Sequence, residues 1–330
     1  MLTTESATVN PPPAIRLRAE AFVVAALLRG LGGLSRPLAR WLGVALVGLL
    51  AAALPRLRRV GMENLALAFP DLPARARRRL FWGCAANLGR LLGEFAHLPK
   101  LHSGNIAELV EYEGFEHFEA ARAQGRGVIF FTGHLGAWEL SAYAHALYGH
   151  PLTILVRPID NPLVDALVTR YRSRSGNRLL SKHRDLRALV ASLRRGETVG
   201  ILADVNVQPP RGVFCQFFGR PACTSPLVAR LARRTGAAVI PGYLVWDAAR
   251  ARHRLIFEAA VPLARTADES FDIQENTARL TQRWEAIVRR YPDQWLWIHR
   301  RWKSQPAEAA PSPPASAANS TRLTLGNDSC

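Results

Sequence analysis

Four short apolar runs, over residues 127–131, 152–156, 198–203 and 238–246, alternate with stretches of helical spacing over 138–147, 162–173, 185–194 and 226–234. Apolar runs of this length suit strands buried on both faces, and strands separated by helices pair in parallel. The chain is therefore expected to form a three-layer α/β domain, a mostly parallel central sheet flanked by helices. A further pair of strands is expected near 213–217 and 255–258, with one long helix over 268–290. One helix carries clear boundary signals: Ser225 at its N-cap, Pro226 at N1 and Gly236 after its end.

Ligands of such sheets gather beyond the carboxyl ends of the strands. Three chemically able residues fall there: His134, Arg157 and Asp204. His134 lies in Gly133-His134-Leu135-Gly136-Ala137-Trp138-Glu139, a tight strand-to-helix turn with glycines that leave room beside the backbone. A histidine acting as general base needs reach to a proton and a partner that fixes its tautomer. Glu139, just inside the following helix, could be that partner. The same spacing also suits Gly136 as N-cap with Glu139 at N3, favoured by the helix dipole alone. Arg157, before a proline-opened helix, suits a phosphate or carboxylate contact and equally a surface ion pair. Asp204, in Asp204-Val205-Asn206, reads as an Asx turn or as a site carboxylate. Near the C-terminus, residues 294–303 (QWLWIHRRWK) join aromatics to cations, a composition suited to core and interfacial packing.

Missing motifs narrow the chemistry. The sequence has no Gly-x-Ser-x-Gly elbow, P-loop, His-Glu-x-x-His or dinucleotide fingerprint. What remains is a base without a protein nucleophile, which suits activation of a hydroxyl on the substrate itself. Cys84, Cys215, Cys223 and Cys330 lack both zinc-site spacing and disulfide density. Cys215, inside Val213-Phe214-Cys215-Gln216-Phe217-Phe218, reads as strand core rather than as an acyl-accepting nucleophile.

The formal charge is +17, and only Lys100, Lys182 and Lys303 are lysines, so arginine carries it. An anionic partner is implied: phospholipid headgroups, nucleic acid or an acidic carrier protein. Residues 1–20 are expected to be disordered, and 21–60, with apolar runs at 21–28 and 41–54, to anchor the chain to a membrane. Counting from Leu38, with Arg40 snorkelling, the second run is at the edge of the length that spans a bilayer, and a re-entrant or interfacial helix is the alternative. Residues 61–303 are expected to form the catalytic domain. Within them, Leu80, Cys84, Leu88, Leu91, Leu92 and Phe95 form a buried stripe, and the Pro-, Ala- and Ser-rich stretch 304–330 forms a disordered tail.

The ordered set of His134 to Glu139, Arg157-Pro158, Arg172 with Gly176, Asp204, Gly212-Val213 with Phe217-Phe218-Gly219, Thr235-Gly236-Ala237 and the QWLWIHRRWK segment resembles the bacterial lipid A biosynthesis late acyltransferases. These are lauroyl and myristoyl transferases within the lysophospholipid acyltransferase superfamily. With Asn64 to Pro70 the resemblance covers nearly all of residues 61–303. It implies a glycerolipid-acyltransferase-like fold and an inner-membrane enzyme facing the cytoplasm. It also implies transfer of a fatty acyl chain from an acyl carrier protein thioester to a hydroxyl of a phosphorylated glucosamine lipid, without metal or cofactor. On this chain His134 matches the base and Glu139 the carboxylate that orients it. Arg157 and Asp204 match positions linked to the site, and Gly136 and Trp138 are expected beside the substrate. The family often has Asp-Gln where this chain has Asp204-Val205. Other readings are the same chemistry on a mannosylated phosphatidylinositol, an aminolipid or a lysophospholipid, with acyl-coenzyme A as donor, a non-catalytic membrane scaffold, and a nucleic-acid-binding protein. The last lacks any recognition motif, so no nucleic acid is expected.

Overall fold

The computed structural model describes residues 14–181 and 185–306. A seven-stranded sheet runs in the order β1-β9-β8-β2-β5-β3-β4. Its strands are β1 (Val110–Glu113), β2 (Val128–Thr132), β3 (Thr153–Val156), β4 (Arg178–Ser181), β5 (Thr198–Leu202), β8 (Ala238–Asp247) and β9 (Arg252–Phe257). All neighbours are parallel except β8 and β9, which pair antiparallel. The expected mostly parallel α/β architecture is what forms. Alternate residues of β2 enter opposite cores, Ile129 and Phe131 on one face and Val128 and Phe130 on the other. That two-sided burial explains the unbroken apolar run.

Helices α5 (Phe115–Ala123) and α6 (Trp138–Leu147) cover the face of Phe130, whereas α8 (Leu186–Arg194), α9 (Leu227–Thr235) and α10 (Glu269–Arg290) cover the other. α7 (Pro162–Ser173) lies between β3 and β4 in sequence, capped by the Asn161 side chain, which accepts from the N–H groups of Leu163 and Val164. α9 starts one residue later than its signals suggested, at Leu227, although Ser225 Oγ still accepts from Leu227 N–H. The expected strand at 213–217 pairs with neither 255–258 nor the main sheet. It forms a separate hairpin of β6 (Val213–Phe217) and β7 (Arg220–Thr224), while 252–257 joins β8 and β1.

The N-terminal layer contains α1 (Ala14–Gly33), α2 (Arg36–Ala53), α3 (Pro55–Ala68) and α4 (Ala74–His97). α1 starts at Ala14, so residues 14–20, expected to be disordered, are helical; residues 1–13 and 307–330 lie outside the described residues. α2 is long and apolar enough to cross a membrane by length and composition. One of its faces is docked on α4 through backbone contact: a Cβ at Gly43 would lie 2.2 Å from the Gly89 carbonyl oxygen. Its other face leaves Trp41 65% and Leu49 67% exposed, and Phe22 of α1 is 73% exposed. Arg40 does not snorkel. Its guanidinium turns inward, donating to Glu94 at 2.5 Å and stacking 4.6 Å from the Trp246 ring.

Glu94 is the centre of a sealed knot. Besides Arg40, Arg36 approaches it at 3.7 Å and His253 Nε2 lies 3.1 Å from Oε1. Burial opposes charge on Glu94, but the His253 contact and Arg40 outweigh it and hold the carboxyl below its ordinary range. Burial dominates at His253, helped by the arginines, and pushes its pKa down despite the carboxylate beside it.

Candidate active site

β2 and β5 are parallel neighbours with Thr132 opposite Leu202. Two residues further along each strand stand His134 and Asp204, so the register alone brings imidazole and carboxylate to one sheet edge. His134 Nδ1 lies 2.8 Å from Asp204 Oδ1, and the His134 backbone N–H donates to Oδ2 at 2.7 Å. The indole N–H of Trp295 donates to the same Oδ2 at 2.8 Å. Gly133 makes this closeness possible, since a Cβ there would lie 2.6 Å from Asp204 Oδ2.

The turn that follows is fixed by Gly136, with φ of +61° and no space for a Cβ, which would fall 1.7 Å from the Leu244 carbonyl oxygen. The N–H groups of Gly136 and Ala137 donate to the carbonyls of Gln294 and Leu244. Gly136 packs against these carbonyls and Asn87, and does not line the cavity at the sheet edge, and α6 begins with Ala137 as N-cap, which puts Glu139 in its first turn. Glu139 is not the bonded partner of His134. Both of its oxygens take Arg172 of α7, from Nε at 2.8 Å and Nη2 at 2.5 Å. Arg172 is a residue that sequence reasoning left outside the site, although it belonged to the family pattern.

A cavity of about 500 Å³ opens at this edge, lined by His134, Trp138, Glu139, Arg172, Arg157 and His299 among others. Trp138 packs edge-on to His134 at 5.2 Å. Arg157 sits at the mouth, largely exposed and 3.7 Å from Asp160. Asp204 is buried behind His134 and does not line the cavity. With Nδ1 bound to Asp204, His134 Nε2 has no protein partner among the described residues and is the ring nitrogen left for a substrate. Burial opposes protonation of this ring, but the Asp204 carboxylate outweighs it through charge and hydrogen bond, with Glu139 adding, and the pKa is raised above the usual histidine value. Asp204 is in turn held below the usual carboxylate range: burial works against its charge and the contacts of His134 and Trp295 override it.

The segment after α10 closes the site. Leu296 N–H donates to the His134 carbonyl at 3.0 Å, and Asn64 Nδ2 donates to the carbonyls of Trp297 and His299, each at 2.6 Å. Asn206 N–H donates to His299 Nε2 at 3.0 Å, which leaves the proton of a neutral His299 on Nδ1. Burial lowers the pKa of His299, so the neutral donor form is favoured. Cys215 is buried in β6 away from the cavity, with its thiol pushed up by burial, as a packing residue would be.

The sequence profile described as bacterial lipid A biosynthesis acyltransferase matches residues 13–304. Similar proteins include a lipid A biosynthesis lauroyltransferase of Escherichia coli strain K12, 30% identical over 275 residues, covering 82% of this chain and 87% of the relative. A lipid A biosynthesis myristoyltransferase of the same strain is 25% identical, over 82% of this chain and 89% of the relative. A lipid A biosynthesis acyltransferase of Haemophilus influenzae is 27% identical over 71% of this chain and 72% of its own length. The match over residues 13–304 and the 30% identity to the lauroyltransferase across most of both chains give one assignment: the chain belongs to the bacterial lipid A biosynthesis acyltransferase family.

Proposed function

We propose that this protein transfers a fatty acyl chain from an acyl carrier protein thioester to a hydroxyl of a phosphorylated lipid A precursor, at the cytoplasmic face of the bacterial inner membrane. The observation that carries the reading is His134, oriented through Nδ1 by Asp204 with Nε2 free at the edge of a cavity. Nε2 takes the proton of the acceptor hydroxyl as its oxygen attacks the thioester carbonyl. The new C–O bond leaves a tetrahedral oxyanion, for which His299 Nδ1–H is the candidate donor, since His299 lines the same cavity as His134. Collapse breaks the C–S bond, and the imidazolium returns its proton to the departing thiolate. Asp204 stabilises the imidazolium; Glu139 adds to that field and holds the Arg172 guanidinium in place.

Arginines at the cavity, Arg157 and Arg172, suit the phosphates of such an acceptor. The exposed apolar side chains of α1 and α2, next to Arg56, Arg58 and Arg59, suit an anionic bilayer surface. The test is to supply detergent-solubilised protein with acyl carrier protein thioesters and a panel of lipid acceptors and to read product masses. One acyl addition to the lipid A precursor, lost in His134→Ala, is expected. Transfer confined to a lysophospholipid or a mannosylated lipid would overturn the acceptor, and transfer that survives His134→Ala would overturn the base.

A further inference from the structure

Helices α8 and α9 lie side by side on the face of the sheet away from α6, and a groove of about 560 Å³ runs between them. α8 connects the parallel strands β4 and β5, and α9 leads into β8, so both helices run against the strands and start at the carboxyl edge, where His134 stands. Leu227, the first residue of α9, lines the groove and the His134 cavity alike. The groove therefore begins at the candidate active site. It leads away over the ~13 Å that a helix of this length covers.

Its floor is apolar and its rims are basic. On α9, Leu227, Arg230, Leu231 and Arg234 fall at i, i+3, i+4 and i+7, one face of a helix. On α8, Leu186, Val190 and Arg194 repeat at i, i+4 and i+8, with Arg187 beside them and Leu186 45% exposed. Among the described residues five arginines line the groove and no acidic residue does. Arg195 pairs with Glu197, which stands outside it, and the other four have no ion pair among the described residues. Cations one turn apart on one helix, as Arg230 and Arg234 are, cost helix stability. Solvation alone gives no reason to gather them around an apolar floor.

An apolar floor between basic rims fits an amphipathic helix with acidic flanks. A bilayer fits it less well. α1 and α2 pack through Ala96 of α4 and Tyr171 of α7, and Tyr171 also packs in the core on the Phe130 face. The groove thus lies across the sheet from the helices whose exposed apolar side chains suit lipid. We propose that the groove between α8 and α9 docks an acidic helix of the carrier protein, so that the tethered acyl thioester enters the cavity past Leu227. The proposal rests on the acyltransferase reading and gives the donor its place on the surface.

The test measures binding of acyl carrier protein to the full-length protein in detergent. It also compares KM for the acyl carrier protein thioester with KM for the same acyl chain on pantetheine, a donor without a protein surface. Arg230→Glu is expected to raise the carrier protein's Kd and its thioester's KM by about tenfold, with the pantetheine thioester's KM unmoved. Arg230→Gln shifts both less, in the same direction, and Arg230→Glu combined with Arg234→Glu shifts both more. Arg18→Glu on α1 makes the same change in net charge as Arg230→Glu and is expected to move either value by less than about twofold, because distant charges are screened. Kd and KM equal to wild type in the double variant, at unchanged melting temperature, would overturn the docking groove. So would loss of flotation with anionic vesicles as the double variant's sole change, which would assign the groove to lipid headgroups. Carrier binding that the double variant loses, in a protein that transfers to no lipid, would keep the groove and sink the acyltransferase reading. Transfer from the carrier thioester at unshifted KM would do the reverse.

Discussion

Among the described residues, histidine and carboxylate form two ion pairs, and they behave in opposite ways. Glu94 of α4 and His253 of β9 are sealed between helix and sheet, with His253 1% exposed, while Asp204 and His134 stand at the sheet edge, with the His134 side chain 25% exposed. The difference is the other charges. Arg40 and Arg36 already answer Glu94, so burial decides the state of His253 and keeps it neutral. Beyond His134 itself, Asp204 has neutral Trp295 as its one side-chain donor among the described residues, so its charge falls on His134 and raises that pKa. A carboxylate raises the pKa of its histidine when no arginine gets there first.

Removing His134 should break the comparison most visibly. His134→Ala is expected to lower kcat by about 10⁴-fold with the melting temperature unchanged, whereas His253→Asn leaves kcat alone; acyl transfer and thermal denaturation on both proteins check this. Asp204→Asn should cost about 10³- to 10⁴-fold in kcat by releasing the tautomer. In the sealed pair the damage appears in stability. Glu94→Ala leaves Arg40 buried without its counter-charge and should cost about 3–5 kcal/mol in urea denaturation, with kcat of the folded enzyme intact.

The smallest effect is in pH. A base works deprotonated, so kcat/KM should fall as pH drops through the raised pKa of His134, a limb above the usual ~6.5. Arg172 opposes protonation of His134, so Arg172→Met should move that limb further up, by less than about one unit. His253→Asn should leave the limb in place, and a limb that moved with His253 would erase the distinction between the two pairs.

What the sequence discloses follows from which forces are local. β2, β5 and β8 announce themselves because strands buried on both faces need unbroken apolar runs. β4, with Arg178 and Ser181, and β7, with Pro221, carry no such signal, because edge and hairpin strands are held by partners distant in sequence. His134 and Asp204 each stand out as polar residues at strand ends. Their bond does not, since it follows from β2 and β5 being neighbours across 70 residues. Glu139 is near His134 in the chain and was the natural partner to expect, yet Arg172, visible only once α7 packs, takes it.

The stretch from Trp295 to Ser304 supplies the Trp295 bond to Asp204, the Leu296 bond to His134 and the His299 donor, all to groups made more than ninety residues earlier. Protein synthesis is directional and earlier segments fold first. A chain made from its N-terminus can therefore complete β2 and β5 and still hold Asp204 without its indole.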